Sequence, residues 1–138
     1  MRVDDLAPGA DLPERTFGPV TRTSLALFAG ASGDHNAVHV DVDAARAAGF
    51  DDVFAHGMLT MALLGAYVEG LARPGTLSGF STRFVARTPV GASPTCSGRV
   101  VDRDDRGTRL ELEVRLGDGT VTATGRAEIT EAAAGSVP

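Results

Sequence analysis

The sequence contains no lysine; all 13 of its basic residues are arginine. That excludes Schiff-base chemistry on a lysine and a phosphate-binding P-loop, which needs one. Cysteine is nearly missing as well. Cys96 stands alone, so no internal disulfide and no thiolate metal cluster can form, and it reads as a small, half-buried strand residue. No segment approaches the roughly 20 apolar residues of a membrane span. Met1-Arg2-Val3-Asp4-Asp5 lacks the apolar run of a signal peptide, so a cytoplasmic location is expected. Positive charge is in deficit, with a net charge of −5, which argues against general nucleic-acid binding. What remains is ordinary: 138 residues, 43% hydrophobic and 22% charged, with no repeat and no linker. One domain spanning 1–138 is expected, with flexible ends at 1–12 and 131–138.

Pro8-Gly9 and Pro13 mark the first fifteen residues as a loosely attached arm. Thr16–Val20 is expected as a short edge strand. Thr21 or Thr23 then caps a helix over 24–31, and Asp43 caps a second over 44–48 that Gly49 ends. The stretch from Met58 to Leu71 predicts the longest helix, about 21 Å at 1.5 Å per residue. It is apolar nearly all round, which predicts a buried helix, and Ala62, Gly65 and Ala66 let a sheet close tightly on it. After Pro74 the pattern is strand. Residues 76–88 put Phe80, Phe84 and Ala86 on one side, with Arg83, Val85 and Arg87 on the other. Residues 95–102 form a second strand. Leu110, Leu112, Val114 and Leu116 alternate strictly with Arg109, Glu111, Glu113 and Arg115, predicting a half-buried antiparallel strand. Val121, Ala123, Ala127 and Ile129 continue the buried face. The fold class is therefore α+β, a curved sheet around a helix, and such a sheet leaves surface that a dimer covers.

Chemistry concentrates in two places. In Phe28-Ala29-Gly30-Ala31-Ser32-Gly33-Asp34-His35-Asn36-Ala37-Val38-His39, the turn pair Ser32-Gly33 precedes Asp34, Asn36 and His39. An Asp and a His on a tight loop can hold a water and move its protons. The plainer reading is that Asp34 and Asn36 cap turns. Ala55-His56-Gly57-Met58 opens the long helix. Gly57 can be a packing glycine and His56 a satisfied core histidine. Alternatively the Gly57 N–H, at the positive helix end, receives an oxyanion, with His56 beside it at the substrate. His35 is expected on the surface. A metal bound by His35, His39, His56 and nearby carboxylates is a weaker reading, because Gly33 and Asn36 look built for a turn. Arg83 and Arg87 meet either solvent or a phosphate-bearing carrier.

These two motifs and their spacing resemble the MaoC-like dehydratases, also called (R)-specific enoyl-CoA hydratases, across about residues 16–130. The resemblance implies the hot-dog fold, a long helix wrapped by an antiparallel sheet and assembled as a dimer. It implies reversible hydration of a trans-2-enoyl thioester, carried by CoA or acyl-carrier protein, to the (3R)-3-hydroxyacyl thioester. It makes Asp34 and His39 the catalytic pair, read as base and proton donor respectively. Asn36 orients the loop and the Gly57 N–H polarises the thioester carbonyl. No cofactor and no metal are expected. Ala37 departs from the family's usual proline, and Gly91-Ala92-Ser93-Pro94 departs from its usual Gly-Asp after the Pro89-Val90 segment.

Two other functions fit the same fold. A hot-dog thioesterase should carry a carboxylate on its central helix, yet 58–68 has none and Glu69 lies at the far end. An inactive partner subunit should have lost Asp34 and His39, which this chain keeps. Homodimer and active subunit of a heterodimer both remain open.

Overall fold

Helix α3, Gly57–Ala72, ends where its sequence demands. The residue before a proline is pushed out of the helical region, and Arg73, before Pro74, is extended (φ −62°, ψ 138°). The structure, a computed structural model, describes residues 2–131; the tail expected to be flexible lies outside them apart from Glu131. Strands β1 (Arg15–Thr16), β2 (Thr76–Phe84), β3 (Thr95–Asp104), β4 (Gly107–Arg115) and β5 (Val121–Thr130) form one antiparallel sheet. Its spatial order is β1-β3-β4-β5-β2. The sheet packs on α3, the hot-dog arrangement.

The β4 alternation holds: Leu110, Leu112, Val114 and Leu116 are buried. Its outer face carries ion pairs of Arg99 with Glu111, Arg115 with Glu113, and Arg109 with Asp102 and Asp104. From α3, Leu64, Tyr67, Val68 and Ala72 meet Leu110, Leu112 and Val114 of β4 and Val100, Ala123, Ala127 and Ile129. Burial of each large side chain contributes about 1.5–3 kcal/mol. Gly125 makes the close approach possible, since a Cβ there would stand 3.1 Å from Leu64 and 2.9 Å from the Ser81 carbonyl oxygen. Cys96 is fully rather than half buried, and that burial pushes its thiol up to about 11.

Several boundaries differ from the sequence expectation, each for a local reason. The first residues are not a loose arm. Val3 is fully buried in the core and Leu12 nearly so. Gly9 N–H and Leu12 N–H donate to Val100 and Gly98 carbonyls, and the Arg103 guanidinium donates to the carbonyls of Val3, Asp4 and Leu6. The edge strand is only Arg15–Thr16, paired with Cys96 and Thr95; the chain then leaves the sheet before Pro19. Strand β2 stops at Phe84, and a register shift between Leu77 and Gly79 resets its alternation. Phe80 and Phe84 therefore face α3 with Leu77, opposite Ala127, Ala123 and Ile129. Finally, α3 is not covered all round: Met58, Ala62, Ala66 and Glu69 are exposed, with Met61 and Gly65 half-buried. Among the described residues no helix is long and apolar enough to cross a membrane.

A second apolar cluster supports the loop that matters. Helix α1, Arg22–Ser32, is capped by a reciprocal pair: Ser24 N–H donates to Thr21 Oγ1 (3.0 Å) and Thr21 N–H to Ser24 Oγ (2.9 Å). Helix α2, Val42–Ala47, is capped by Asp41 rather than Asp43, its Oδ1 accepting from Asp43 and Ala44 N–H. Leu25, Ala45, Val53 and Ala55 pack between them with Val20, Phe50, Leu59 and Val90. A forked Arg22–Asp52 ion pair (3.0 and 2.7 Å) ties the start of α1 to the segment leading into α3.

Candidate active site

The loop between α1 and α2 is fixed link by link from its own short side chains. Gly33 ends α1 in the left-handed region (φ 76°), which glycine adopts without strain, and its N–H donates to the Ala29 carbonyl. Asp34 N–H donates to Ser32 Oγ (3.2 Å), and Asn36 N–H donates to Asp34 Oδ1 (3.2 Å). Val38 N–H donates to Asn36 Oδ1 (3.3 Å), starting a 3-10 turn at Ala37–His39. The turn-capping reading of Asp34 and Asn36 is thus realised. It uses only one carboxylate oxygen of Asp34.

The other oxygen, Oδ2, lies 3.9 Å from His39 Nε2. That is too long for a direct hydrogen bond and short enough for one water to touch both atoms. The Asp34 side chain is 52% exposed and that of His39 only 10%, so the pair sits at the edge of the interior with its open side toward solvent. His39 Nδ1 is 2.8 Å from the Phe54 carbonyl oxygen. A carbonyl only accepts, so Nδ1 carries the proton, and in the neutral ring Nε2 presents its lone pair toward Asp34. The Phe54 ring stands edge-on to His39 at 5.0 Å.

His56, expected either in the core or beside Gly57 at the substrate, is 1% exposed. Its Nε2 donates to the Asp34 backbone carbonyl (3.1 Å), and its ring stacks on His39 with centroids 3.9 Å apart and 25° between planes. Phe28 packs edge-on against its ring at 4.9 Å. The His56 Nδ1 is buried and has no partner among the described residues. An orphaned buried polar atom costs about 1–3 kcal/mol. Asp34, His39 and His56 each offer a ligand atom within 4.8 Å of the others. They do not fit a metal cage: the two rings stack with centroids 3.9 Å apart and 25° between planes, so an ion in the plane of one imidazole lies out of the plane of the other. His35 is exposed, as expected.

Gly57 opens α3, and among the described residues its N–H has no protein acceptor. It borders a hollow of about 330 Å³ lined also by Phe54, Thr60, Phe84 and Arg87. Asp34 and His39 do not line that hollow; Phe54, which holds His39, is the link between them. The space beside Gly57 Cα belongs to Phe84, whose ring would lie 3.4 Å from a Cβ there. Arg87 is not on a strand face with Arg83, since β2 has ended; its guanidinium lies 4.5 Å over the Phe50 ring. Phe54 escaped the sequence reading because it acts through its carbonyl, which leaves no mark in residue type. Ser32 was legible as half of the turn pair, but not its Oγ bond to Asp34 N–H.

Residues 6–124 match the family model of the MaoC-like domain. The chain is 32% identical over 124 residues to 3-hydroxyacyl-thioester dehydratase Z of Mycobacterium tuberculosis, covering 86% of this chain and 76% of that protein. Its fold superposes on the unliganded R-hydratase PhaJ1 of Pseudomonas aeruginosa with a TM-score of 0.84, at 28% identity over 92% of this chain and 83% of that one. It is also similar to a chain of the ChsH1–ChsH2 complex of Mycobacterium tuberculosis (TM-score 0.82, 26% identity, covering 91% of this chain and 98% of that one). The chain belongs to the MaoC-like family. Fold and relatives together make it a hydro-lyase of the dehydratase and (R)-hydratase class.

Proposed function

We propose that the chain interconverts trans-2-enoyl and (3R)-3-hydroxyacyl thioesters at Asp34 and His39, with no cofactor. The observation that carries this is the 3.9 Å separation of Asp34 Oδ2 and His39 Nε2, with His39 Nδ1 already committed to Phe54. One water bridges the two acceptors. In hydration its oxygen bonds to C3, while His39 Nε2 takes one of its protons and Asp34 holds the other by a hydrogen bond. The C2–C3 π electrons move to C2 and onto the thioester carbonyl oxygen. The imidazolium then returns the proton to C2, restoring the neutral tautomer. Dehydration is the reverse. This differs from assigning Asp34 as base and His39 only as donor: the Phe54 bond makes neutral His39 an acceptor first. The Gly57 N–H, with no acceptor of its own, meets the developing oxyanion at the α3 N-terminus. Asn36 fixes the loop through Val38 N–H.

The substrate is an acyl group on CoA or a carrier protein, met in the cytoplasm. The uncovered side of α3, with Met58, Met61, Ala62 and Gly65, runs beside Leu77 and Phe80 of β2 as one apolar hollow. A second copy of this chain covers it. Likeness to the ChsH1–ChsH2 complex supports a second reading, in which this chain is the active subunit of a heterodimer. Purified chain mixed with crotonyl-CoA tests the proposal. Loss of enoyl absorbance, with product resistant to an (S)-specific 3-hydroxyacyl-CoA dehydrogenase, is the expected result. Product consumed by that dehydrogenase would overturn the stereochemistry, and no hydration by the purified chain with thioesters of any length would overturn activity of this chain on its own and leave the heterodimer reading.

A further inference from the structure

We propose that His56 is the positioning residue of the site, acting through Asp34 and His39 without touching substrate; this rests on the reaction proposed above. His56 touches both members of the pair by different means. Its Nε2–H donates to the Asp34 carbonyl, anchoring the loop that follows Gly33 to the start of α3, 22 residues away in sequence. Its ring lies flat on His39, leaving that imidazole no room to tilt on one side, while the Phe54 ring stands edge-on to it. The bonds within Ser32 to Val38 set the loop's shape. Gly33 N–H ties its start to α1 and His39 Nδ1 ties its far end to Phe54, and the His56 bond is the side-chain link, among the described residues, that registers Asp34 itself against α3 and hence against Gly57.

The unpartnered Nδ1 argues for the same role. At 1% exposure the Nδ1 lone pair finds no donor among the described residues, so the hydrogen bonding of the ring goes to the Asp34 carbonyl. Histidine supplies both a flat ring and an Nε2–H donor at this buried position. Phenylalanine supplies the ring without the donor. Glutamine places an amide N–H near the ε position without the ring. The two functions of His56 are therefore separable by substitution.

The test compares wild type, His56→Phe and His56→Gln by crotonyl-CoA hydration, thermal unfolding and backbone ¹⁵N relaxation of residues 33–36. A displaced catalytic group costs up to about 100-fold in rate. His56→Phe is expected to lower kcat about 10–100-fold with KM within about threefold, to keep or raise Tm, and to loosen residues 33–36 on the ps–ns scale. His56→Gln is expected to keep those residues ordered and to recover at least about threefold of the lost kcat. Wild-type kcat in His56→Phe, unchanged order at 33–36, or a Gln variant no better than Phe would each overturn the proposal. The relaxation readout needs no turnover. If wild type fails to hydrate any enoyl thioester, activity of this chain on its own falls while His56 is still judged by the order of its loop.

Discussion

His39 spends one nitrogen on the backbone and keeps the other for the site, and Asp34 divides its carboxylate in the same way. Each residue is half structural. That division lets the turn-capping role of Asp34 stand beside the proposed chemical one: Oδ1 closes a turn onto Asn36 while Oδ2 faces His39. Gly57 is the residue where packing and proposed chemistry must be told apart, because Phe84 occupies the space a side chain would need. A methyl at Gly57 would meet that ring at 3.4 Å, an ordinary contact, and alanine is favoured over glycine in a helix by up to about 1 kcal/mol. Gly57→Ala should therefore fold with unchanged or higher Tm, and Gly57→Val should crowd both Phe84 and the carbonyl site. Turnover should fall in both, more in valine. Full activity in a folded Gly57→Val variant would remove the oxyanion role from this position.

At the level of elements, α3 and β4 were legible because each declares one period without interruption, and the motif at 32–39 was legible because small turn residues bracket its polar ones. Four features were not. Burial of Val3 depends on Arg103, about a hundred residues away, gathering backbone carbonyls that no local pattern reveals. The shift between Leu77 and Gly79 breaks the alternation of β2, so a period of two misassigns residues on one side of it. Helix α2 starts two residues early because Asp41 and Asp43 are both competent caps and the 3-10 turn before it favours the first. The burial of His56 is one of the two readings its sequence allowed, a core histidine or a group at the substrate, because sequence gives its neighbour Gly57 but not its own exposure. The 3-10 turn itself offers a test. Ala37 is its first residue, the preceding Asn36 has ψ 122°, and the Ala37 N–H has no acceptor among the described residues. That is a proline-compatible position. Ala37→Pro should stabilise by about 0.4–1 kcal/mol, read by chemical denaturation, with activity kept. A loss of stability would mean that the turn relaxes away from this geometry in solution.

The whole molecule presents an imbalance: an apolar helix covered on one side by a sheet and open on the other, with Met58 56% and Phe84 49% exposed. Patches of this kind mark protein contacts. Sedimentation velocity at micromolar concentration should give a dimer, and Ala66→Arg, on the open side of α3, should shift it toward monomer without unfolding it. A well-folded wild-type monomer would contradict the homodimer and leave a second, different subunit as the cover.

The central claim is that Asp34 and His39 act on one water, and the direct measurement is crotonyl-CoA hydration by wild type, Asp34→Asn, His39→Ala and the double variant. General acid–base groups contribute about 10²–10⁴-fold, equivalent to about 3–5 kcal/mol of barrier. Each single variant should lose at least about 100-fold in kcat; Tm should stay near that of wild type in Asp34→Asn, which keeps an oxygen for Asn36 N–H, and fall in His39→Ala, which empties a buried ring position, so turnover is compared at a temperature where every variant is folded. The double variant should lose little more than the worse single one, because two groups serving one water act as a unit. Retention of more than about a tenth of wild-type turnover by Asp34→Asn, with chemistry limiting, would contradict its place in the pair. Losses that simply add in the double variant would contradict the shared water.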